Sequence, residues 1–212
     1  PAQPVIRLCR IEPGGNTVII HDITQELISS MVPAGVPATV LHRFKDKDKG
    51  DTCNESALSA CLHVGTHCDA LLHFIPGEKD IAETSLEALI GPCNVISVPE
   101  NEVLMADYFQ HNTLPQTTRI LFRGGGNTFL APDAAEWLAK RKYSCLGIDS
   151  WSISTAGKGA QTHTPLFRAG TAIIEGLDLS NVKDGSYFLV AAPLKIKGAD
   201  GAHCRAVLLA DI

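Results

Sequence analysis

The sequence lacks a long apolar run, an excess of positive charge and a leader-like beginning. A transmembrane helix needs about 18 consecutive apolar residues, and no stretch reaches that length. Asp and Glu number 23 against 18 Lys and Arg, which gives a net charge of −5. This balance argues against a nucleic-acid partner and against an anionic membrane surface. The first residues also lack the basic and apolar regions of a secretory signal peptide. We therefore expect a protein that binds neither nucleic acid nor membrane.

The seven cysteines include no C-x-x-C pair, which argues against a zinc ribbon or a thioredoxin-like redox motif. Their number is odd, they are scattered, and several lie in apolar runs, where a free thiol behaves as a small hydrophobe. This usage indicates reduced thiols and a cytoplasmic location.

Two short segments resemble ligand-binding loops only superficially. The turn 124–126 is all glycine and follows the predicted strand Arg119–Arg123, but it fits neither common phosphate-binding glycine pattern. We interpret it as a flexible connection. The charged run Lys45–Asp51 lacks the glycine and the glutamate that a calcium-binding EF-hand loop requires at fixed positions. It is predicted to be a solvated turn.

Length and composition predict a single globular domain over residues 1–212. The hydrophobic content of 45% allows a buried core, and no internal repeat or linker is visible. Short apolar strands alternate irregularly with few helices, which indicates an α/β or α+β core with a mixed sheet. The clearest helix is Ala131–Tyr143, because it begins with proline and acidic residues and ends with basic ones.

Histidine is concentrated in one stretch. Three of the eight histidines, His63, His67 and His73, lie within eleven residues together with Asp69. Neutral imidazole and carboxylate are ligands of zinc, manganese and iron. Residues two apart in an extended chain share a face, so all four side chains can project the same way. On a helix Asp69 would turn away from the first two histidines. The pattern predicts a strand or loop that binds a metal.

Two simpler interpretations compete with a metal site. A lone histidine is usually a surface or satisfied core residue, but four such groups in one apolar segment would each need a separate partner if buried. Cys68 lies between His67 and Asp69 and is itself a ligand type. Its even position puts it on the opposite face, so we interpret it as a buried thiol.

The stretch 63–73, H-V-G-T-H-C-D-A-L-L-H, resembles the H-x-G-T-H-x-D-x-P-x-H signature of the cyclase-like metal hydrolases. That family includes bacterial kynurenine formamidases and is related to isatin hydrolases. Leu71 replaces the usual proline, which changes the stiffness of the loop without removing a ligand. The similarity extends roughly from Ile20 to the C-terminus, and the further similar segments are Phe74–Glu78, Leu89–Pro92, Leu121–Arg123, Gly147–Asp149 and the pair His163 and Glu175.

The resemblance implies a swivelling β/β/α fold and a site for two divalent ions. By analogy His63, His67 and Asp69 hold one ion, while Asp69 and Glu175 reach a second that His163 completes. In the family a histidine and a glutamate twelve residues apart play this part; the residues by themselves leave His163 undecided. Two zinc ions are expected, with manganese as the alternative.

The resemblance also implies a small-molecule amide substrate and an acid–base role for His73, whose imidazole has an ordinary pKa of about 6.5. The first hypothesis is an arylformamidase of tryptophan catabolism that hydrolyses N-formylkynurenine. The second is a sibling hydrolase of another cyclic amide, imide or lactone, as in isatin hydrolase. Kynurenine formamidases usually carry a tryptophan in an N-terminal loop. This chain has no tryptophan there, since the equivalent region lies near Met31, and the difference favours the second hypothesis. The third is a catalytically silent metal-binding member, against which the intact motif argues.

Two further expectations concern the pocket and the assembly. A hydrophobic pocket is predicted from Phe44, Leu71 and Phe74. Trp151 follows the predicted strand Cys145–Ile148 and either lines that pocket or belongs to the core. Family members form homodimers or homotetramers that complete the pocket across the interface, so the resemblance implies a homo-oligomer.

Overall fold

The computed structural model describes residues 6–10 and 17–210. The sequence P-G-G-N at positions 13–16 predicts a turn, and this turn lies outside the described residues. Within them the β-strands are β1 (Ile6–Arg10), β2 (Thr17–Asp22), β3 (Val40–Lys45), β4 (Glu55–Ser59), β5 (His67–Asp69), β6 (Ile90–Ser97), β7 (Val103–Leu104), β8 (Arg119–Arg123), β9 (Phe129–Leu130), β10 (Cys145–Ile148), β11 (Ala172–Glu175), β12 (Gly185–Val190), β13 (Gly201–His203) and β14 (Val207–Ala210). The α-helices are α1 (Leu86–Leu89), α2 (Ala106–His111), α3 (Pro132–Ala139) and α4 (Gly159–Arg168). Among the described residues, none of these helices has the length and apolar character required to span a bilayer.

Ten strands form one sheet in the order β1-β2-β14-β12-β6-β8-β10-β11-β5-β13. Its centre, β6-β8-β10-β11, is parallel, and the strands on both sides of this centre pair antiparallel. The mixed sheet with few helices confirms the predicted α/β class.

Both faces of the parallel centre are covered, and alternate residues of each strand therefore enter different cores. In β8, Ile120 and Phe122 pack with residues of α3 and α4, whereas Leu121 packs on the other face. In β11, Ile173 and Ile174 divide in the same way. The face that carries the helices also carries the site described below.

Helix α3 begins where the sequence predicts, with Pro132 in its first turn, but it ends at Ala139 rather than at Tyr143. Its last basic residues lie beyond the helix, and Lys142 has a positive φ of 55°. Burial of Ala134 and Leu138 fixes the helix against the sheet.

Three local signals in the sequence predict other boundaries than those observed. The prolines and glycine of the segment 31–37 favour a helix that begins within 26–30 and ends before them, but 26–30 is a turn. The apolar segment 203–210 favours one strand at an edge of the sheet or paired with the preceding strand, but it contributes to two strands, of which β13 lies at one edge and β14 pairs with β12. Pro165 favours a turn or helix start just after His163, but it lies inside α4. The glycine turn is held in place, because the N–H groups of Gly124 and Gly125 donate to the Asp149 carboxylate at 3.0 Å.

Strands β3 and β4 form a separate antiparallel hairpin. Its tip is the charged run, where a short 3-10 turn at Lys47–Lys49 is fully exposed, as predicted for a solvated turn. Large apolar side chains on the hairpin are also exposed, among them Leu41, Phe44 and Leu58.

Candidate metal centre

The register between β5 and β11 places three acidic and imidazole groups on one face. Glu175 lies directly opposite His67, and directly opposed residues in an antiparallel pair point to the same side. Asp69 follows two residues later and shares that side. All three side chains are buried at the carboxyl end of β11, the end where α/β sheets place their sites. Cys68 points into the opposite core, which confirms the buried thiol.

Helix α4 supplies His163. Leu166 and Phe167, three and four residues later on the same helical face, are buried in the core on the helix-covered face. Packing of this face turns the His163 ring toward the sheet, where its Nε2 lies 3.0 Å from Glu175 Oε1 and 3.3 Å from Asp69 Oδ2.

The segments before and after β5 bring in His63 and His73. His63 lies in the turn before the strand, and His73 ends a short 3-10 helix after it. The three histidines and the aspartate of the stretch 63–73 therefore converge although only His67 and Asp69 lie on a strand. The two rings stack with centroids 3.9 Å apart and an interplanar angle of 21°. His63 Nδ1 lies 2.9 Å from Asp69 Oδ1.

Potential ligand atoms thus converge on Asp69. One set, His63, Asp69 and His73, and another, His67, Asp69 and Glu175, each bring their ligand atoms within 4.8 Å of one another. The His67 Nε2 atom lies 3.4 Å from both Asp69 Oδ1 and Glu175 Oε2.

The cluster fits a cation because two of its atoms, His67 Nε2 and Asp69 Oδ2, are among the buried side-chain atoms of the described residues that have no hydrogen-bond partner. Buried polar atoms ordinarily have a partner, and leaving one unsatisfied costs about 1–3 kcal/mol. Imidazole nitrogen and carboxylate oxygen are donors that divalent zinc and manganese accept. The residues therefore fit a divalent metal.

Glu175 is oriented by the chain that follows β10. Its Oε1 accepts from the Ile153 N–H at 2.7 Å and from the Ser152 hydroxyl at 3.2 Å. These contacts leave Oε2 directed toward His67.

Two glycines allow the motif loop to approach β11. Gly65 and Gly176 both have φ of +65°, a region that favours glycine. A Cβ on Gly176 would lie 2.2 Å from the Gly65 carbonyl oxygen. Any larger residue at this position would therefore push the loop that carries His63 and His67 away from the strand that carries Glu175.

Charge within the cluster shifts the pKa of each group. Burial opposes the charged form of His163, but the nearby carboxylates of Asp69 and Glu175 outweigh it and raise the pKa to about 10. The same two carboxylates outweigh burial at His67 and raise its pKa well above the ordinary value. Burial would raise the pKa of Asp69, yet the imidazole rings of His163, His63 and His67 around it hold the pKa well below the usual range.

A metal ion must therefore displace protons from these rings. The raised pKa values of His67 and His163 mean that protons compete with a metal for both rings, and at His163 this competition weakens as pH rises toward 10. We expect Zn²⁺ binding to release protons and its affinity to rise about tenfold per pH unit for each proton displaced. Calorimetric titrations at one pH in buffers of different ionisation enthalpy measure this directly. A binding enthalpy that is the same in every buffer would contradict it.

A cavity of about 270 Å³ opens beside the cluster. Its walls include Phe74 and Trp151, and the chain around Pro33 and Val36 closes another side. The predicted pocket was thus only partly right: Phe74 lines it, and Trp151, half-buried, lines it too. Phe44 lies instead on the hairpin, with 53% of its surface exposed, and Leu71 packs into the core on the helix-covered face.

Sequence reasoning missed Asp200. Its Oδ2 atom lies 3.1 Å from His63 Nε2 and 3.5 Å from His73 Nδ1, although 137 positions separate it from His63. A lone aspartate before a glycine is typical of a turn, so nothing local distinguishes it. The Ser152 and Ile153 contacts with Glu175 were missed for the same reason, since only the fold brings them there.

Residues 21–155, more than half of the chain, match the sequence profile of the cyclase family, which is described as "Putative cyclase". The chain belongs to the cyclase family. A kynurenine formamidase of Paracidovorax citrulli is 38% identical in an alignment of 173 positions that covers 73% of this chain and 79% of that protein. This confirms the resemblance carried by the residues 63–73.

Solved structures extend the similarity to the whole fold. One, titled a potential metal-dependent hydrolase with cyclase activity, superposes with a TM-score of 0.80 at 31% identity and covers 92% of this chain and 98% of its own. An isatin hydrolase bound to the product analogue thioisatinate superposes with a TM-score of 0.77 over 92% of this chain and 93% of its own. Its sequence identity is 22%, so that likeness shows the cyclase fold alone.

Proposed function

We propose that this cyclase-family protein is a metal-dependent hydrolase of a non-peptide C–N bond, an arylformamidase that converts N-formylkynurenine to kynurenine and formate. The observation that carries the proposal is the convergence of buried, unsatisfied imidazole and carboxylate atoms beside a pocket with an aromatic wall. The choice of substrate rests on the similarity to the kynurenine formamidase of P. citrulli, which extends over most of the length of that protein. The single-domain extent of residues 1–212 and the cytoplasmic location stay predictions.

The proposed ligands divide into two sets that share Asp69. His63 and His67 with Asp69 would hold one divalent ion, and His163 and Glu175 with Asp69 would hold a second, with zinc expected and manganese as the alternative. This division follows the family resemblance; by distance alone His73 groups with His63 and Asp69, and Glu175 groups with His67 and Asp69. Bound ions of this kind polarise a carbonyl and lower the pKa of water to about 7. Strand register fixes His67, Asp69 and Glu175, and helix packing fixes His163. His63, in the turn before β5, is held by its contacts with Asp69 and Asp200, so the site is organised before a metal arrives.

His73 is the proposed acid–base group. Burial lowers its pKa, so the ring is neutral at pH 7 and has a free nitrogen lone pair. It lies on the pocket wall beside Phe74, with ring centroids 4.2 Å apart. From there it would take a proton from the attacking water and return one to the departing aniline nitrogen.

The aromatic wall would orient the substrate. Phe74 is itself fixed on His163, with ring centroids 4.5 Å apart, and a Cβ on Gly159 would meet its ring at 2.7 Å. Together with Trp151 it offers a flat apolar surface on which an aryl ring can stack. The formamide would then point toward Asp69 and His73.

The second candidate is hydrolysis of a cyclic amide, imide or lactone. It is favoured by the N-terminal loop, where Met31 lies in place of an aromatic residue and is 56% exposed. Pro33 and Val36 take that side of the pocket instead, and they give less stacking surface.

The decisive experiment combines metal content with hydrolysis. Protein purified without added metal or chelator is analysed for bound elements, and the same sample is assayed on N-formylkynurenine and on isatin. Turnover of the formamide with one to two zinc or manganese ions per chain supports the proposal. Metal with turnover of isatin alone transfers it to the second candidate. Metal without turnover of either substrate keeps the metal-binding fold and transfers the proposal to another amide or lactone substrate. Failure to bind metal after reconstitution would overturn all three.

We also propose a homo-oligomer assembled through the β3–β4 hairpin. Within the described residues its strands pair only with each other, and an isolated two-stranded hairpin is marginally stable in water. Leu41 and Leu58 lie opposite each other and are 54% and 51% exposed. Such paired apolar groups indicate a surface that another chain covers, and a second copy is the occupant that a homodimer or homotetramer requires.

Replacing Leu58 by Asp is expected to reduce the oligomer to monomer, because a charge would have to be buried in the interface. Light scattering after size exclusion at micromolar concentration measures the mass. The matched control is Leu86→Asp, since Leu86 has the same exposure of 51% but lies at the start of α1, outside the hairpin. An unchanged mass in Leu58→Asp, or an equal loss in both variants, would refute the hairpin interface.

A further inference from the structure

In all three candidate imidazole ligands, one ring nitrogen is held by an oxygen and the other faces the carboxylates. For His67 the held atom is Nδ1, 2.9 Å from the Gly65 carbonyl, and for His163 it is Nδ1, 2.8 Å from the Gly159 carbonyl. His63 is reversed: its Nδ1 faces Asp69, and its Nε2 lies 3.1 Å from a carboxylate rather than a carbonyl.

That carboxylate belongs to Asp200, which the fold holds beside the motif. The Ala70 N–H donates to the Asp200 carbonyl at 2.9 Å, one residue beyond the pairing of β13 with β5. The next residue, Gly201, makes room for the ring, because a Cβ there would lie 2.7 Å from His63 Cε1. His63 is therefore confined between the Gly201 backbone and an acceptor at its far nitrogen.

We propose that Asp200 is a positioning residue that selects the metal-binding nitrogen of His63. By accepting the Nε2–H, it leaves the Nδ1 lone pair directed at the point that Asp69 Oδ1 faces. The inference rests on the proposed metal site and deepens it.

The physical reason is that a neutral imidazole carries one N–H and one lone pair. Which nitrogen binds a metal is set by the hydrogen bond that the other makes, and a carboxylate also raises the basicity of the ring. At His67 and His163 a carbonyl does this through the local turn or helix. At His63 no local carbonyl takes that part among the described contacts, and a residue 137 positions away does it.

Asp200 also borders the proposed acid–base group. Its Oδ2 atom lies 3.5 Å from His73 Nδ1, and the His73 ring stacks on the His63 ring. A single carboxylate thus contacts both rings of the stacked pair. The effect of Asp200 is therefore expected on these two rings and not on overall stability, since an aspartate side chain that is 47% exposed contributes little to stability by charge alone.

The test measures Zn²⁺ affinity of the full chain by competition with a fluorescent chelator. Asp200→Ala removes the acceptor, and Asp200→Asn keeps an oxygen without the charge. We expect both to weaken Zn²⁺ binding, by about 10–100-fold and more in the alanine variant, as for other carboxylates behind a metal-bound histidine. Because the side chain is half-exposed, the melting temperature without metal should be nearly unchanged. The matched control is Asp184→Asn, since Asp184 is 51% exposed and pairs with Arg123 away from the site.

A second readout separates positioning from a general structural effect. In the Zn²⁺-loaded protein, long-range ¹H–¹⁵N spectra of the histidine rings should show His63 bound through Nδ1 with Nε2–H retained, and His67 and His163 bound through Nε2. Binding of His63 through Nε2, or equal Zn²⁺ affinity in wild type and both Asp200 variants, would overturn the inference. If wild type itself binds no Zn²⁺, the proposed function fails first, which is a distinct result.

Discussion

Replacing Asp69 by Asn is expected to abolish turnover and the stabilisation that a divalent metal gives the folded protein. Asp69 is the one carboxylate that both ligand sets share, and it faces His63, His67 and His163 at 2.9–3.4 Å. An amide keeps the shape of the side chain but has one weaker donor oxygen and no charge. Both ions would then lose their common ligand.

Thermal unfolding with and without Zn²⁺ measures this effect separately from folding. A ligand at 100 times its Kd stabilises the native state by about 2.7 kcal/mol, which corresponds to a rise in Tm of roughly 5–11 °C for a chain of this size. Wild type should show this increment and Asp69→Asn should not. The variant also breaks a buried ion network, so the increment, rather than the absolute Tm, is the readout.

A buried aspartate outside the cluster provides the control for Asp69. Asp149 is 6% exposed and accepts from the glycine turn. Asp149→Asn should lower Tm but keep the Zn²⁺ increment and measurable turnover. A normal increment in Asp69→Asn would mean that this residue is not a ligand.

Replacing His73 by Ala is expected to leave metal binding intact while kcat falls by about 10²–10⁴-fold, the usual contribution of a positioned acid–base group. His73 contacts Asp200 and the His63 ring, but its pKa is lowered by burial, in contrast to the raised pKa of His63 and His67. This contrast distinguishes a neutral proton carrier from rings tied to the carboxylates. Metal content and steady-state kinetics on the same preparation give both quantities.

The control for His73 is His111→Ala. The His111 side chain is 73% exposed at the end of α2 and takes no part in the cluster, so kcat should be unchanged. Loss of metal in His73→Ala would reassign the residue as a ligand, in line with its position near His63 and Asp69. Normal turnover in that variant would remove the acid–base role.

If the results expected for Asp69→Asn and His73→Ala are both obtained, the next question is which substrate fits the pocket. Phe74 and Trp151 provide an aryl-binding wall, whereas the N-terminal side offers Pro33 and Val36. The relative rates on N-formylkynurenine and isatin would then report on how one aromatic wall discriminates an open-chain formamide from a fused ring.

Local signals in the sequence are enough to predict the chemical types of the side chains in the site and much of the sheet. Spacing and residue type identified the histidine-rich stretch, and an even-numbered Cys68 was correctly assigned to the opposite face. Strand periodicity predicts the strands, and the proline at its start predicts where α3 begins, because these signals act within a few residues.

How distant residues reach those side chains depends on the tertiary structure: the family resemblance implied His163 and Glu175, but not the contacts that hold them, and nothing in the sequence indicated Asp200. Glu175 faces His67 through strand register, His163 turns inward because its helix packs on the sheet, and Asp200 reaches His63 from the other end of the chain. For the same reason Trp151 lines the pocket, whereas Phe44, which was expected there, lies exposed on the hairpin. Contacts of this kind depend on how elements pair and pack over long separations, and no local pattern in the chain records them.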